Sequence, residues 1–284
     1  MAATSIMDLK NILEKKFRKF FPKRIPKYRF YINKLKGLSG IEIGGPSLAF
    51  TKQGFLPIYQ HIESLDGCNF SSNTIWEGQI ESGRTYHFEN KVGYQYILDG
   101  SDLTEINNEQ YDFLLSCHNL EHIANPIKAL KEWKRVLKPN GYLLMILPHK
   151  DKTFDHKRPI TKLEHILQDY ESEMPETDST HFEEVLTLHD ITRDAGVETH
   201  QDLEERTAKN IENRCVHHHV FNSALAAQIV DHVGFKIINL TPFSPCHIII
   251  LAQKNENKTN DNAIYTTPSL GGYAKSYFPS DRIQ

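Results

Sequence analysis

The sequence predicts an α/β fold with a mostly parallel sheet and an antiparallel last strand. Strand-like runs recur at 40–43, 62–66, 94–98, 111–117 and 142–148. The last two flank a single amphipathic helix with short joints, the strand–helix–strand order of a parallel sheet. Near the end, 235–240 and 246–252 are joined by a turn containing Pro242 and Pro245. So short a link permits a hairpin and forbids a helical crossover, which makes the last pair antiparallel.

Taken in order, residues 8–20 read as a short basic helix, and Pro22 and Pro26 break it. "GIEI" (40–43) is a buried strand that turns at Gly44 and Gly45. "IESLD" (62–66) is a strand ending at Asp66, and "YQYIL" (94–98) ends in a polar turn. After "YDFLLSC" (111–117), Asn125 caps a helix with Pro126 in its first turn and Ile127, Leu130, Trp133 and Leu137 at helical spacing. "KPNG" stops that helix, and "YLLMILP" (142–148) is a fully buried strand. Residues 149–220 are polar, acidic and histidine-rich, and Thr161 with Glu164 reads as a capping box. Asn222 then caps a helix carrying Leu225 and Ile229, stopped by Gly234, before the hairpin.

The chain has 284 residues, 39% hydrophobic and 24% charged, with a net charge of −3, which suits one large globular domain without global attraction to nucleic acid. Its four cysteines are far apart with no CxxC pair, which points to a reducing, cytoplasmic setting rather than a disulfide framework. No apolar stretch is long enough for a transmembrane segment. Charge is uneven: residues 1–36 hold eleven Lys/Arg and two acids, and residues 161–212 hold fifteen acids and four Lys/Arg. The basic N-terminus could make weak contact with an anionic surface. The acidic stretch would repel phosphates, so no nucleic-acid partner is expected.

An open parallel sheet binds ligands where the carboxyl ends of its strands meet a reversal of strand order. The segments at that edge are Glu42–Ser47, Asp66, Asp99–Leu103, Cys117–Leu120 and Pro148–Asp151.

One long stretch sharpens this. "YDFLLSCHNLEHIANPIKALKEWKRVLKPNGYLLMILP" (111–148) resembles the second half of class I S-adenosylmethionine-dependent methyltransferases of the type 11-like group. Tyr111–Asp112 stands for the aromatic–Asp pair that opens the fourth strand. Leu120–Glu121–His122 and Arg135–Gly141 follow in the family's order, with Asn140 in place of a glycine. The resemblance covers 38–150 and 217–253. It implies a Rossmann-like, doubly wound, seven-stranded sheet over 38–253, with 151–216 inserted after the fifth strand as acceptor pocket or lid. Residues 1–37 would be a basic extension and 254–284 a mobile tail. It implies S-adenosyl-L-methionine as cofactor: Glu42 and Gly44 match the first motif, while Pro46 and Leu48 stand where two further glycines are expected. Gly44, Gly45 and Pro46 would face the methionine part, Asp66 the ribose, Asp102 with Leu103 the adenine, and His118 the cofactor or acceptor.

The expected reaction is methyl transfer to a small-molecule or glycan acceptor of polar, carbohydrate type, at oxygen. A hydroxyl acceptor calls for a general base, and eleven of the fifteen histidines lie between 118 and 219. "PHKDKTFDHKRP" leaves the fifth strand with His149 as first choice of base, Asp151 and His156 beside it, and Arg158 to pair with a phosphate or carboxylate. In "HHHVF", His217 and His219 share one side and would line the acceptor pocket. With a carboxylate from 149–156 they could take a divalent cation, but no HExxH-like spacing supports this and no metal is assigned. Two other readings stand beside the enzyme: a nucleic-acid methyltransferase using the basic N-terminus, and a binding or scaffold protein that keeps the fold.

Overall fold

The computed structural model describes residues 23–255, 260–267, 270, 273 and 276–282. The helix expected at 8–20 lies outside them. In chain order the elements are α1 (Tyr28–Leu35), β1 (Ser39–Ile43), β2 (Ser64–Asn69), β3 (Asn73–Thr74), β4 (Gly78–Gln79), β5 (Gly83–Phe88), β6 (Lys91–Ile97), β7 (Tyr111–Cys117), α2 (Pro126–Val136) and β8 (Leu137–Pro148). Then follow α3 (Leu163–Glu171), α4 (Phe182–Leu188), α5 (His200–Ala208), α6 (Asn210–Asn213), α7 (Ser223–His232), β9 (Phe235–Phe243), β10 (His247–Lys254) and α8 (Ala263–Thr266).

Eight strands form one sheet in the order β5-β6-β2-β1-β7-β8-β10-β9. The five from β6 to β8 are parallel, and β10 runs antiparallel between β8 and β9. This is the mostly parallel, doubly wound sheet with an antiparallel last strand. The eighth strand, β5, was not expected: it folds back antiparallel on β6 and extends the edge. Strand order reverses between β1 and β7, which puts the ligand crevice over their carboxyl ends.

Alternation along each strand divides the core between two faces. Phe113, Leu115, Leu144, Ile146, Ile249 and Leu251 pack under α1 and the loop carrying Phe50, Leu56, Ile58 and Tyr59. Leu114, Leu143, Met145, Leu147, Ile248 and Ile250 face Ile127, Leu130 and Trp133 of α2 and Leu225 and Ile229 of α7. The α2 cap is as read from sequence: Asn125 accepts from Lys128 N at 3.0 Å, with Pro126 in the first turn. The α3 cap is not, because Lys162 occupies that position and the Thr161 hydroxyl instead accepts from Val220 N at 2.9 Å.

Residues 44–63, between β1 and β2, contain a single 3-10 turn, Leu48–Phe50, where a parallel crossover usually carries an α-helix. The insertion has a small cluster of its own, Val185, Val197, Leu203 and Val216. The tail expected to be mobile is docked where it is described. Asn262 bonds Ile237 N and Asp231, and Phe278 and Asp281 are buried. Among the described residues no helix is long and apolar enough to cross a membrane.

Candidate active site

A cavity of about 520 Å³ opens over the ends of β1, β2, β6 and β7, lined there by Gly44, Pro46, Ser47, Asn69, Asp99, Gly100, His118 and Asn119. The turn after β1 is built around Glu42. Its carboxylate is fully buried and accepts from Tyr59 Oη at 2.6 Å, Tyr86 Oη at 2.7 Å, Ser47 Oγ at 2.5 Å and Ser47 N at 3.2 Å. Burial pushes its pKa up, and these hydrogen bonds oppose the shift. Glu42 was expected to touch the cofactor. Both its oxygens are taken inside the protein, so it holds the turn instead.

The two glycines have separate reasons. Gly44 sits at φ +76°, and a Cβ there would lie 2.5 Å from Asn119 Nδ2. Gly45 backs onto the carboxylate, where a Cβ would lie 2.3 Å from both Glu42 Cδ and Tyr86 Oη. Gly44 and Pro46 line the cavity; Gly45 lies behind them.

Three expected cofactor contacts sit elsewhere. Asp66 is three residues short of the end of β2 and accepts from Tyr94 N and Tyr111 Oη, both at 2.8 Å. The strand continues to Asn69, which takes the place at the cavity and donates to Gly45 O at 2.9 Å. Asp102 is exposed and Leu103 is core; Asp99 and Gly100, nearer the end of β6, line the cavity. Asp99 Oδ1 accepts from Ser101 N and Oγ at 2.8 Å, and Oδ2 faces Arg214 Nη2 at 3.2 Å. His118 does line the cavity, at φ +51°, with Nε2 2.9 Å from His247 Nδ1. Burial, with neighbouring imidazoles, lowers the pKa of His118 and His122, and burial lowers that of His247 to about 4.

The expected catalytic and acceptor residues lie away from the cavity wall. His149 is fully buried, stacked on Phe278 at 3.8 Å, with Nε2 3.0 Å from Asp281. Asp151 accepts from Ser280 N at 2.8 Å, and His156 pairs with Asp190 at 2.7 Å. Arg158 is buried between Asp155 and Glu184, with His217 O also accepting from it. His217 Nδ1 is 2.5 Å from Asp155, and His219 Nε2 is 2.8 Å from Asp169. Of the insertion 151–216, only Arg214 lines the cavity. The other side of the cavity comes from residues missed in the sequence: Phe55, Trp76, His122, Arg214 and His247. Trp76 sits 5.5 Å from the His122 ring, and Arg214 lies over Phe70 at 5.3 Å.

Among the described residues three groups of donors could hold a metal: Glu121 with His122 and His217, His118 with Cys246 and His247, and His165 with Asp169, His181 and His219. His165 and Asp169 are four apart on α3, an i, i+4 signal that was available in the sequence.

The cavity fits the cofactor that the 111–148 resemblance implies. The Gly44 turn leaves backbone open to a ligand, and Asn119 Oδ1 is a buried acceptor with no hydrogen-bond partner at the wall. Asp99 stands at the end of β6 with one oxygen engaged only by Arg214.

Comparison with known proteins agrees. A family model described as a methyltransferase domain matches residues 59–145. No curated protein matches the sequence. Solved structures of S-adenosylmethionine-dependent methyltransferases resemble it. One from Methanosarcina mazei is 16% identical, with 82% of this chain and 100% of that chain covered and a TM-score of 0.45. One from Mesorhizobium loti is 12% identical, with 80% and 96% covered and a TM-score of 0.45. One described as a methyltransferase from Listeria monocytogenes is 14% identical, with 81% and 97% covered and a TM-score of 0.44. With the matched domain, the motif order of 111–148 and the strand-end cavity together, the chain carries a methyltransferase domain.

Proposed function

We propose that this methyltransferase acts on an oxygen of a small polar or carbohydrate-type acceptor. The observation that carries the reading is the make-up of the cavity beside the strand-end turns. The imidazoles of His118, His122 and His247 and the guanidinium of Arg214 line it together with the aromatic rings of Phe55 and Trp76. Polar groups beside an exposed aromatic face suit a hydroxylated ring, whose apolar face stacks while its hydroxyls find partners.

S-adenosylmethionine supplies a methyl group already activated on a sulfonium. The chain has to hold the acceptor oxygen in line with that methyl and limit water around it. Gly44, Asn69, Asp99 and Asn119 would hold the cofactor, Trp76 and Phe55 would cover the acceptor, and the imidazoles would orient its hydroxyls. His149, Asp151 and His156, engaged by Asp281, Ser280 and Asp190, do not meet the acceptor in this reading.

A screen for S-adenosylhomocysteine release across hydroxylated metabolites, free sugars and sugar nucleotides tests this. Turnover with hydroxyl acceptors and a product methylated at oxygen is expected. Release only with amine or thiol acceptors would overturn it.

A further inference from the structure

We infer that Glu121, His122 and His217 bind a divalent first-row transition-metal ion just behind the cavity wall, reached through His122, where it would hold and acidify the acceptor hydroxyl. Glu121 is fully buried, and neither of its carboxylate oxygens has a hydrogen-bond partner. A buried carboxylate left without a partner is costly, and an ion is the group that satisfies it with the neighbours present. His122 Nε2 lies 3.8 Å from Glu121 Oε1, and His217 Nε2 lies 4.0 Å from it. Donors sharing one ion at about 2.0–2.2 Å are separated by about 3–4.4 Å.

The far side of each ring is also engaged. His122 Nδ1 meets Val216 O at 3.2 Å. His217 Nδ1 meets Asp155 Oδ2 at 2.5 Å, and Arg158 holds the other oxygen of Asp155 at 2.8 Å. A carbonyl or carboxylate on Nδ1 places the proton there and leaves the Nε2 lone pair free, which is how metal-bound histidines are usually oriented. Both free lone pairs are then on the side of Glu121. Two imidazoles and one carboxylate leave coordination positions open, and His122 is part of the cavity wall.

This inference rests on the oxygen-acceptor reading for its role, though not for its existence. An acceptor hydroxyl on an open position loses its proton to water more readily. Its oxygen then bonds the methyl carbon as the sulfur–carbon bond breaks. The electron pair stays on sulfur, giving S-adenosylhomocysteine.

A different observation points to a second, structural ion. His165 Nε2, His181 Nε2, His219 Nε2 and Asp169 Oδ2 converge from α3, the loop before α4 and the bend before α7. Neighbouring pairs are 3.1, 3.5 and 2.8 Å apart. The edge of a tetrahedron with bonds of about 2.0–2.1 Å is about 3.3 Å. Four protein donors close that site, which suits Zn2+ pinning the insertion to the domain.

The full chain is stripped with a chelator and reloaded with Zn2+ or, separately, Mn2+. Bound metal is counted by mass spectrometry, and S-adenosylhomocysteine affinity is measured by calorimetry. Wild type should retain about two equivalents of Zn2+. Glu121→Gln and His122→Asn should each lose one equivalent and turnover, with S-adenosylhomocysteine affinity within about threefold of wild type, since neither side chain carries the cofactor loop. In the Glu121→Gln background, Zn2+ should raise Tm, and adding His181→Ala should abolish that rise. Undiminished metal content in both Glu121→Gln and His122→Asn overturns the cavity site. A Zn2+-induced rise in Tm that survives His181→Ala overturns the structural one. Metal bound at Glu121 without turnover of any hydroxyl acceptor would sink the acceptor reading while leaving the metal site standing.

Discussion

The Tyr86 hydroxyl donates to Glu42 Oε2 at 2.7 Å, tying the edge strand β5 to the last turn of β1 across 44 residues. The sequence motif thus rests on a buried network beneath the Gly44–Ser47 turn. Removing this one hydroxyl with Tyr86→Phe should cost about 1–2 kcal/mol in denaturant unfolding, because Tyr59 still serves the same oxygen.

Glu42 also sets a pH dependence. Burial raises its pKa above the ordinary 4.5, so between that value and the raised one the folded chain binds a proton that the unfolded chain has lost. Stability from this group therefore falls as pH rises through that window. Relative to Glu42→Gln, the wild type should gain stability on going from pH 7 toward pH 5. A difference that is flat, or that favours the variant at lower pH, would contradict the burial argument.

Gly44→Ala forces a side chain into the left-handed region and onto Asn119. A loss of about 1–2 kcal/mol in stability is expected from the backbone alone. Calorimetric titration should also show S-adenosylhomocysteine affinity down by about tenfold or more, since the turn must shift.

Asp99 and Asp102 make a paired test of which acid meets the cofactor. Asp99→Asn should weaken cofactor binding by about 1.5–3 kcal/mol, the worth of hydrogen bonds to a charged group. Asp102→Asn should leave it within about 0.5 kcal/mol, as for a surface change. The reverse order would restore the assignment that the sequence suggested.

His149→Ala removes a buried partner of Asp281 and a ring stacked on Phe278. It should cost about 2–3 kcal/mol and make the tail more sensitive to limited proteolysis, with S-adenosylhomocysteine affinity near wild type. Retained stability with turnover lost would return His149 to the role of base.

Much of the fold was legible from local rules. The amphipathic spacing of 126–136, the Asn125 cap, and the runs 111–117 and 142–148 are properties of neighbouring residues. The short hairpin link fixed the antiparallel last strand by chain length alone. The site was less legible because it depends on where strands end. β2 runs on to Asn69 in register with β1, since Ile43 pairs with Cys68, and that moves Asp66 off the edge. Three residues of register decide whether an acid meets a ligand or a neighbouring tyrosine.

The histidines show the same limit. Sequence counted them and placed most of them in 118–219, but spacing did not show which would share a point. His122 and His217 are 95 positions apart, yet their rings pack 4.6 Å apart beside Glu121. His149 stands at a strand end, as read from sequence, but the described part of the tail covers it with Asp281 and Phe278. By itself the sequence determined the parallel strands and the antiparallel last pair, through periodicity and link length, and the resemblance of 111–148 pointed to the methyl donor. Only the tertiary structure decided which acids, imidazoles and aromatic rings reach the cavity, because register and long-range packing set the side-chain positions there.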